Sequence, residues 1–308
     1  MKIYMPCIFP EPLTTGWDKD VVLDINTSSY CPTREEMKRH LKDADVAVIN
    51  LDDVFDREMF EAAPHLKVLC LFAGSTYNID VECAKERNVR ICTAQGEIFE
   101  NTADLTFAIL MAVARRIPEA DTYIREGKYH AWGPNVLLGG DIYGKTIGIL
   151  GMGTIGQKVA KRATGFGMKI LYSTQHGPKK AVEEQLGAIY VDKETLLKES
   201  DFVCLHCKLT HDTEHIIGAE ELAMMKDSAY LINTGRGKLV DEKALADALE
   251  NGVIAGAALD VFEEEPVVTE KLLKLPNCVL TPHLGASSKE NRYAMATICA
   301  DQIREYLK

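Results

Sequence analysis

Three segments of the chain each place one ionisable side chain just after a short apolar run. Leu231-Ile232-Asn233-Thr234-Gly235-Arg236-Gly237 carries Arg236, Leu259-Asp260-Val261-Phe262-Glu263-Glu264-Glu265-Pro266 carries Glu265, and Leu280-Thr281-Pro282-His283-Leu284-Gly285 carries His283. Arginine offers a planar fork to a carboxylate and polarises a carbonyl beside it. Histidine titrates near neutrality and can give or take a hydroxyl proton. A glutamate next to the histidine orients the ring and favours its protonated form. If the apolar runs are strands of an open α/β sheet, all three side chains lie at strand carboxyl ends, where such sheets bind ligands. Plainer readings exist: Glu263-Glu264-Glu265 as a solvated acidic loop, and His283 after Pro282 as a turn residue. Arg236 between two glycines is harder to explain by packing, because so flexible a loop rarely carries an arginine for that purpose.

A fourth segment supplies a partner chemistry. Thr146-Ile147-Gly148-Ile149-Leu150 runs into Gly151-Met152-Gly153-Thr154-Ile155-Gly156 and then into a helical pattern over Gln157–Gly165. This is G-x-G-x-x-G between a strand and a helix. The first glycine permits the tight turn, the second lets backbone approach a pyrophosphate, and the third lets helix and strand pack closely. The helix N-terminus offers free N–H groups to phosphates. The pattern therefore points to a dinucleotide, and a nicotinamide would supply a hydride. About 20 residues after the glycines an acid usually accepts the ribose 2′-hydroxyl of NAD. Here that position holds Thr174, and no acid follows until Glu183. Ser173, Thr174, His176, Lys179 and Lys180 can donate to a 2′-phosphate instead, so NADP is expected as the preferred cofactor, with NAD possible. The alternative is a strand end indifferent to the two.

The elements that must position these residues follow from periodicity. Lys2–Pro6, Val46–Asn50, Lys67–Phe72, Lys145–Leu150, Lys169–Tyr172, Phe202–His206, Ala229–Asn233, Ala255–Leu259 and Cys278–Thr281 read as buried strands. Helical patterns cover Arg34–Lys42, Val81–Arg87, Lys193–Glu199 and Asp241–Asn251. A long one runs from Thr102 to Glu126, kinked or split by Pro118, and a last one from Ser287 to Leu307. Continuous apolar strands alternating with helices predict parallel sheets covered on both faces.

Composition narrows the function. With 35 basic and 46 acidic residues the chain carries a formal charge of −11, and no basic stripe offsets it, so nucleic acid is not an expected partner. No apolar run reaches the roughly 18 residues of a membrane span, and the N-terminus has no signal-peptide layout. Nine cysteines, an odd number in mostly apolar surroundings, suggest reduced thiols and a cytoplasmic protein. Cys204-Leu205-His206-Cys207 lies along a strand and its end, which argues against a redox or metal motif, and no metal is expected. His211-Asp212-Thr213-Glu214-His215 lacks the glutamate of a zinc-protease motif and reads as a solvated turn.

G-M-G-T-I-G, I-N-T-G-R-G, A-L-D-V-F-E-E-E-P and T-P-H-L-G-A, in this order, make the chain from Ala73 to Ala296 resemble the D-isomer-specific 2-hydroxyacid dehydrogenases. The resemblance implies an α/β fold of two Rossmann-like, doubly wound parallel-sheet domains. It puts the dinucleotide-binding domain at about 100–283, inserted into a substrate-binding domain formed by 1–99 and 284–308. It implies that Arg236 holds and polarises a 2-oxo acid, that His283 is the proton donor, that Glu265 pairs with His283, and that Asp260 contacts the nicotinamide carboxamide. The cofactor contacts it implies are Gly151, Gly153, Thr154, Ile155, Gly156, Ser173, Thr174, Cys207, Thr213, Thr234, Gly235, Arg236, Asp260, His283 and Gly285. Those for substrate are Gly74, Ser75, Thr76, Arg236, His283 and Trp132, and a homodimer is expected.

Thr102-Ala103-Asp104-Leu105, Ala114-Arg115-Arg116, Trp132-Gly133-Pro134 and Gly165-Phe166-Gly167-Met168 resemble the glyoxylate/hydroxypyruvate reductase branch, in which a partner-subunit tryptophan at the position of Trp132 reaches the pocket. Glyoxylate or hydroxypyruvate is then the expected substrate, reduced to the D-2-hydroxy acid. Two other functions stay open: a D-3-phosphoglycerate dehydrogenase, and a nicotinamide-sensing binding protein like the corepressors that resemble this family. The chain ends at Lys308, so the C-terminal regulatory domain of many phosphoglycerate dehydrogenases is not expected. The chain departs from the family at Thr154, usually Arg, at Lys208, usually Pro, and at Ser75-Thr76-Tyr77, often Gly-Val-Asp.

Overall fold

Strands such as Val46–Ile49 and Val68–Leu71 are buried along their whole length, as strands covered on both faces must be. The computed structural model describes every residue except 29, 75, 77, 95–97, 307 and 308. Ser75, an expected substrate contact, therefore lies outside the described residues. In chain order the elements begin β1 (Lys2–Met5), α1 (Glu11–Thr14), β2 (Val22–Ile25), α2 (Arg34–Leu41), β3 (Val46–Ile49), α3 (Arg57–Ala62), β4 (Val68–Leu71), α4 (Val81–Glu86) and β5 (Arg90–Thr93). Next come α5 (Ile98–Ala114), α6 (Ile117–Arg125), β6 (Thr146–Leu150), α7 (Thr154–Gly165), β7 (Lys169–Ser173), α8 (Lys180–Leu186), β8 (Ile189–Tyr190), α9 (Lys193–Glu199) and β9 (Phe202–Leu205). The chain finishes with α10 (Ala219–Met224), β10 (Tyr230–Asn233), α11 (Glu242–Glu250), β11 (Gly256–Leu259), β12 (Cys278–Leu280) and α12 (Lys289–Tyr306).

The chain divides into two units, Met1–Ile98 with Ser287–Lys308, and Phe99–Ala286. In the first, a parallel sheet runs in the order β2-β1-β3-β4-β5. Tyr4, Ala47, Ile49, Leu69 and Leu71 point into a core with Leu41, Phe55, Met59 and Phe60, while α12 packs on β4, β5 and α1. In the second, a parallel sheet runs β12-β11-β10-β9-β6-β7-β8. Along β9, Phe202 and Cys204 enter a core with α5 and α7, whereas Val203 and Leu205 enter one with α9, α10 and α11. Strand order reverses at β6, so the crevice of this doubly wound sheet opens beyond the carboxyl ends of β6 and β9.

Several elements differ from the sequence reading. β2, β5 and β8 were not expected, nor were the short helices α1, α3, α8 and α10. The long pattern Thr102–Glu126 is two helices, and the break falls at Arg116, whose φ of +52° places it in the left-handed region. Pro118 sits in the first turn of α6, where its missing N–H costs no helical hydrogen bond. α7 starts at Thr154, inside the glycine motif, and α12 starts at Lys289 rather than at Ser287, while its expected end at Leu307 lies outside the described residues. Among the described residues no helix is long and apolar enough to cross a membrane.

Candidate functional site

The glycine turn is shaped by contacts that forbid side chains at two of its three glycines. Gly151 has φ +100°, and a Cβ there would stand 2.3 Å from the Cys207 nitrogen at the end of β9. A Cβ on Gly156 would stand 2.2 Å from the Gly151 carbonyl oxygen, so helix and strand meet at backbone distance. Gly153 differs: a Cβ there would meet nothing within 4 Å. Its face is open, at the start of α7. The first intrahelical bond runs from Gln157 N–H to Gly153 O at 3.0 Å, and no side chain caps the helix. The N–H groups of Thr154, Ile155 and Gly156 are thus the helix's unpaired donors. An open backbone face with three such donors fits a pyrophosphate.

The end of β7 lies against the same turn. Ser173 O accepts from Gly151 N–H at 2.9 Å. Thr174 is held in its own turn: its hydroxyl donates to Gly177 O at 3.3 Å and accepts from His176 N–H at 3.2 Å. Lys179 comes back to the glycines. Its N–H donates to the Tyr172 hydroxyl at 2.6 Å, and its ammonium donates to the Met152 carbonyl at 2.8 Å. A half-buried cation therefore sits beside the Gly151–Gly153 turn with a neutral carbonyl as its partner.

After β9 the chain turns through His206 and Cys207. His206 N–H donates to Leu150 O at 2.7 Å, which ties this loop to β6. Both His206 ring nitrogens are buried without a hydrogen-bond partner among the described residues. Burial pushes the imidazole down to about 4, so it is neutral at physiological pH. Burial likewise pushes the Cys207 thiol up to about 11. Cys204 lies in one core and Cys207 packs against the other, so the two thiols of the C-x-x-C point to opposite faces. Thr213 spends its hydroxyl within its own turn, donating to Lys208 O at 2.7 Å and accepting from Thr210 N–H at 2.8 Å. His215 is exposed in its turn, as the sequence suggested, and it also has partners: its Nε2 pairs with the Glu263 carboxylate, and its N–H donates to Lys238 O at 2.8 Å.

Arg236 follows β10 in a turn built by Asn233. The Asn233 amide donates to Arg236 O at 3.0 Å and accepts from Gly235 N–H at 3.0 Å. The Thr234 hydroxyl meets that of Thr106 on α5 at 2.8 Å. Gly237 is indispensable, since a Cβ there would fall 1.7 Å from Phe262 O. The arginine turn and the segment carrying Glu265 are thus in backbone contact.

Glu265 and His283 meet directly. Glu265 Oε2 lies 2.7 Å from His283 Nδ1, while Oε1 accepts from Phe262 N–H at 3.0 Å. Burial alone would raise the Glu265 carboxyl. The hydrogen bond and charge of His283, the Phe262 N–H and the charge of Arg236 together hold it below the ordinary carboxylate range. His283 has φ +53°, a conformation uncommon for a residue with a bulky side chain. Asp260 holds it there. Its carbonyl accepts from His283 N–H at 2.9 Å, and its carboxylate accepts from Leu284 N–H at 2.7 Å, Gly285 N–H at 2.9 Å and the Thr281 hydroxyl at 2.6 Å.

The second unit thus brings together Arg236, Glu265, His283, Asp260 and Gly285. Asn233, as the builder of the arginine turn, was missed by the sequence reading. Its signal was a polar residue closing an otherwise apolar strand. Trp132, also in this unit, is 79% exposed on the stretch after α6. Gly74 and Thr76 belong to the first unit, where Gly74 is exposed after β4 and Thr76 O accepts from Ile79 N–H at 3.1 Å. No group of three His, Cys, Asp or Glu side chains among the described residues could hold a metal ion.

Comparison with known proteins identifies the family. Residues 107–285 match the family model described as D-isomer specific 2-hydroxyacid dehydrogenase, NAD binding domain. A glyoxylate reductase of Korarchaeum cryptofilum is 46% identical over 304 residues, spanning 98% of this chain and 91% of the relative. The crystal structure of a glyoxylate reductase from Paecilomyes thermophila superposes with a TM-score of 0.82 at 33% identity, covering 100% of this chain and 95% of the other. An NADPH-dependent glyoxylate/hydroxypyruvate reductase from Sinorhizobium meliloti, solved in complex with citrate, gives a TM-score of 0.82 at 28% identity, covering 100% and 95%. The chain is an oxidoreductase that reduces 2-oxo acids with a nicotinamide cofactor, and it belongs to the D-isomer-specific 2-hydroxyacid dehydrogenase family.

Proposed function

We propose that the protein is an NADPH-preferring reductase of glyoxylate or hydroxypyruvate, with Arg236, Glu265 and His283 as its catalytic set. The observation that carries the reading is the His283–Glu265 pair at 2.7 Å, with the charge of Arg236 felt at the same carboxylate. Arg236 takes the substrate carboxylate and polarises the neighbouring oxo group. Glu265 holds Nδ1 of His283, so the proton on Nε2 is the one available to the substrate. When bound, the reduced nicotinamide supplies a hydride. The oxo carbon gains that hydride, the oxo oxygen gains the Nε2 proton, and the C=O becomes C–OH. His283 ends neutral and is reprotonated from solvent. Oxidation of the hydroxy acid uses the neutral ring in reverse.

The dinucleotide would be held by the Gly151–Gly156 turn and the unpaired N–H groups of Thr154, Ile155 and Gly156. The preference for NADPH is supported by the absence of an acid at Thr174 and by Lys179, whose ammonium rests on the Met152 carbonyl at 2.8 Å. A 2′-phosphate offers that ammonium a stronger partner than a carbonyl. A homodimer is supported by α6, which buries none of its residues, and by exposed Ile117, Ile124, Tyr129, Trp132, Leu138 and Tyr143 on the same stretch. Nine free thiols suit a reducing compartment such as the cytoplasm.

The test is a two-cofactor assay of purified protein against a panel of 2-oxo acids, following loss of reduced-nicotinamide absorbance. Fast NADPH oxidation with glyoxylate or hydroxypyruvate is expected. Equal or better turnover with NADH overturns the cofactor preference. Faster turnover of the phosphorylated hydroxypyruvate overturns the substrate assignment.

A further inference from the structure

Glu242 is an acid in an unusual place. It opens α11, where the helix dipole favours a carboxylate, but such residues normally point to solvent. This one is only 3% exposed. A buried carboxylate is costly unless its oxygens are hydrogen-bonded. Here they are. Oε1 accepts from Glu263 N–H at 2.6 Å, and Oε2 accepts from Thr269 N–H at 3.3 Å and the Thr269 hydroxyl at 2.6 Å. Its own helix needs nothing from it, because Asp241 caps α11 by accepting from Ala244 N–H at 2.9 Å.

The three donors come from the two ends of one short excursion. Between Glu263 and Thr269 the chain makes a tight hairpin, with Glu264 bridged to Val267 and Val267 N–H donating to Glu264 O at 2.8 Å. Glu265 is at the tip of that hairpin, beside Pro266. One carboxylate therefore gathers both feet of the hairpin whose tip carries the partner of His283. The same segment abuts the Arg236 turn through Gly237 and Phe262.

We infer that Glu242 is a positioning residue for the reaction: by clamping Glu263 and Thr269 it holds the Glu265 hairpin in register with His283. The inference rests on the reading that Glu265 and His283 act in catalysis. The groups facing the pair are Arg236 and the Phe262 N–H on the Glu265 side, and Asp260 on the His283 side. Glu242 itself faces Glu263, Thr269 and the Cys278 thiol, not the reacting atoms.

Glu242→Gln keeps the shape but replaces one acceptor oxygen with an NH2, which repels whichever foot it faces. The expected result is roughly a tenfold fall in kcat for glyoxylate reduction, by analogy with loss of one hydrogen bond to a charged group. The NADPH dissociation constant should stay within twofold. The alkaline limit of the pH–rate profile should move down, in the same direction as in Glu265→Gln. In the Glu265→Gln background the Glu242→Gln change should add nothing, since the hairpin would hold a tip that no longer acts. Full additivity of the two changes, or a lower kcat with an unmoved pH limit, overturns the inference and leaves Glu242 a purely structural residue. If Glu242→Gln does not fold, Thr269→Val carries the same test, with a fall of about threefold expected and the same pH shift. A Glu265→Gln enzyme with an unaltered profile overturns the catalytic reading and this inference with it. An altered Glu265→Gln beside an unaltered Glu242→Gln overturns this inference alone.

Discussion

The three glycines of the turn make separable predictions, because a methyl group added at each would meet different surroundings. At Gly153 it would meet nothing within 4 Å, and the backbone there, φ −77° and ψ −162°, is one alanine adopts freely. The cost to folding of Gly153→Ala is then the exchange of a good N-cap residue for a poor one, about 0.5–1 kcal/mol. For a unit of this size that is a fall in Tm of about 1–4 °C. The cost to binding is larger. The methyl occupies the face that a pyrophosphate must approach to reach the N–H groups of Thr154 and Ile155. Losing one charge-assisted hydrogen bond removes about 1.5–3 kcal/mol, or roughly 10- to 150-fold in NADPH affinity. Gly156→Ala inverts the pattern, because its Cβ would stand 2.2 Å from the Gly151 carbonyl, where only a backbone shift makes room. That variant should lose stability first and cofactor second. Thermal unfolding and fluorescence titration with NADPH on both variants decide the matter. A Gly153→Ala protein that binds NADPH within twofold of the parent refutes the assignment of this face to the cofactor. One that melts as low as Gly156→Ala refutes the claim that the face is open.

Glu265→Gln replaces a carboxylate 2.7 Å from His283 with a neutral amide. The alkaline limit for reduction, read from kcat/KM against pH, should move down, because the protonated ring loses its charged partner. The same carboxyl sits below its ordinary value of 4.5 in the fold, so its pairing stabilises the protein above that pH and is lost as pH falls through the lowered value. The Tm of Glu265→Gln should therefore decline less than that of the parent on acidification below pH 4.5. Lys179→Ala should raise KM for NADPH by about tenfold and leave KM for NADH within twofold, since only the former carries the phosphate. Ile124→Glu puts a charge on the unburied apolar face of α6 and should convert a dimer to monomers in light scattering, with the far-UV circular dichroism unchanged.

What the sequence made legible, and what it did not, divides along physical lines. Interior strands were readable because both faces are buried and their residues form unbroken apolar runs. β2, β5 and β8 were not, and each is an edge strand. Val22–Ile25 and Arg90–Thr93 are partly exposed and include Asp24 and Arg90, so no continuous run announces them. The helices that escaped notice are four to seven residues long, a length at which a period is weak, although α4 and α9, six and seven residues long, were read. Arg236, Glu265 and His283 stood out because each closes an apolar run with a charge. Asn233, Glu242 and Asp260 did not stand out as supports, because their partners are made only by folding: Glu242 reaches Glu263 and Thr269, and Asp260 reaches Leu284 and Gly285.

Those three residues share a logic. Each is polar, each is at most 3% exposed, and each accepts hydrogen bonds from the N–H groups of the turn that carries a reactive side chain. A turn at a strand's carboxyl end has N–H groups that the sheet no longer pairs, and burying them unpaired is costly. An apolar support would fill the space but leave those donors empty. A carboxylate or amide fills it and fixes the turn at the same time. The arrangement ties geometry to ionisation. Burial raises the Asp260 carboxyl despite the Thr281, Leu284 and Gly285 donors and the charge of His283. A carboxyl raised by folding weakens the fold once it ionises, so Asp260 spends stability to keep His283 at φ +53°. Asp260→Asn should then keep most of the stability, since the amide carries no buried charge. It should nonetheless lose activity, since one oxygen cannot serve Thr281, Leu284 and Gly285 together. A variant that lost stability in step with activity would show that the Asp260 hydrogen bonds outweigh the cost of burying its charge, so that the residue stabilises the turn it shapes.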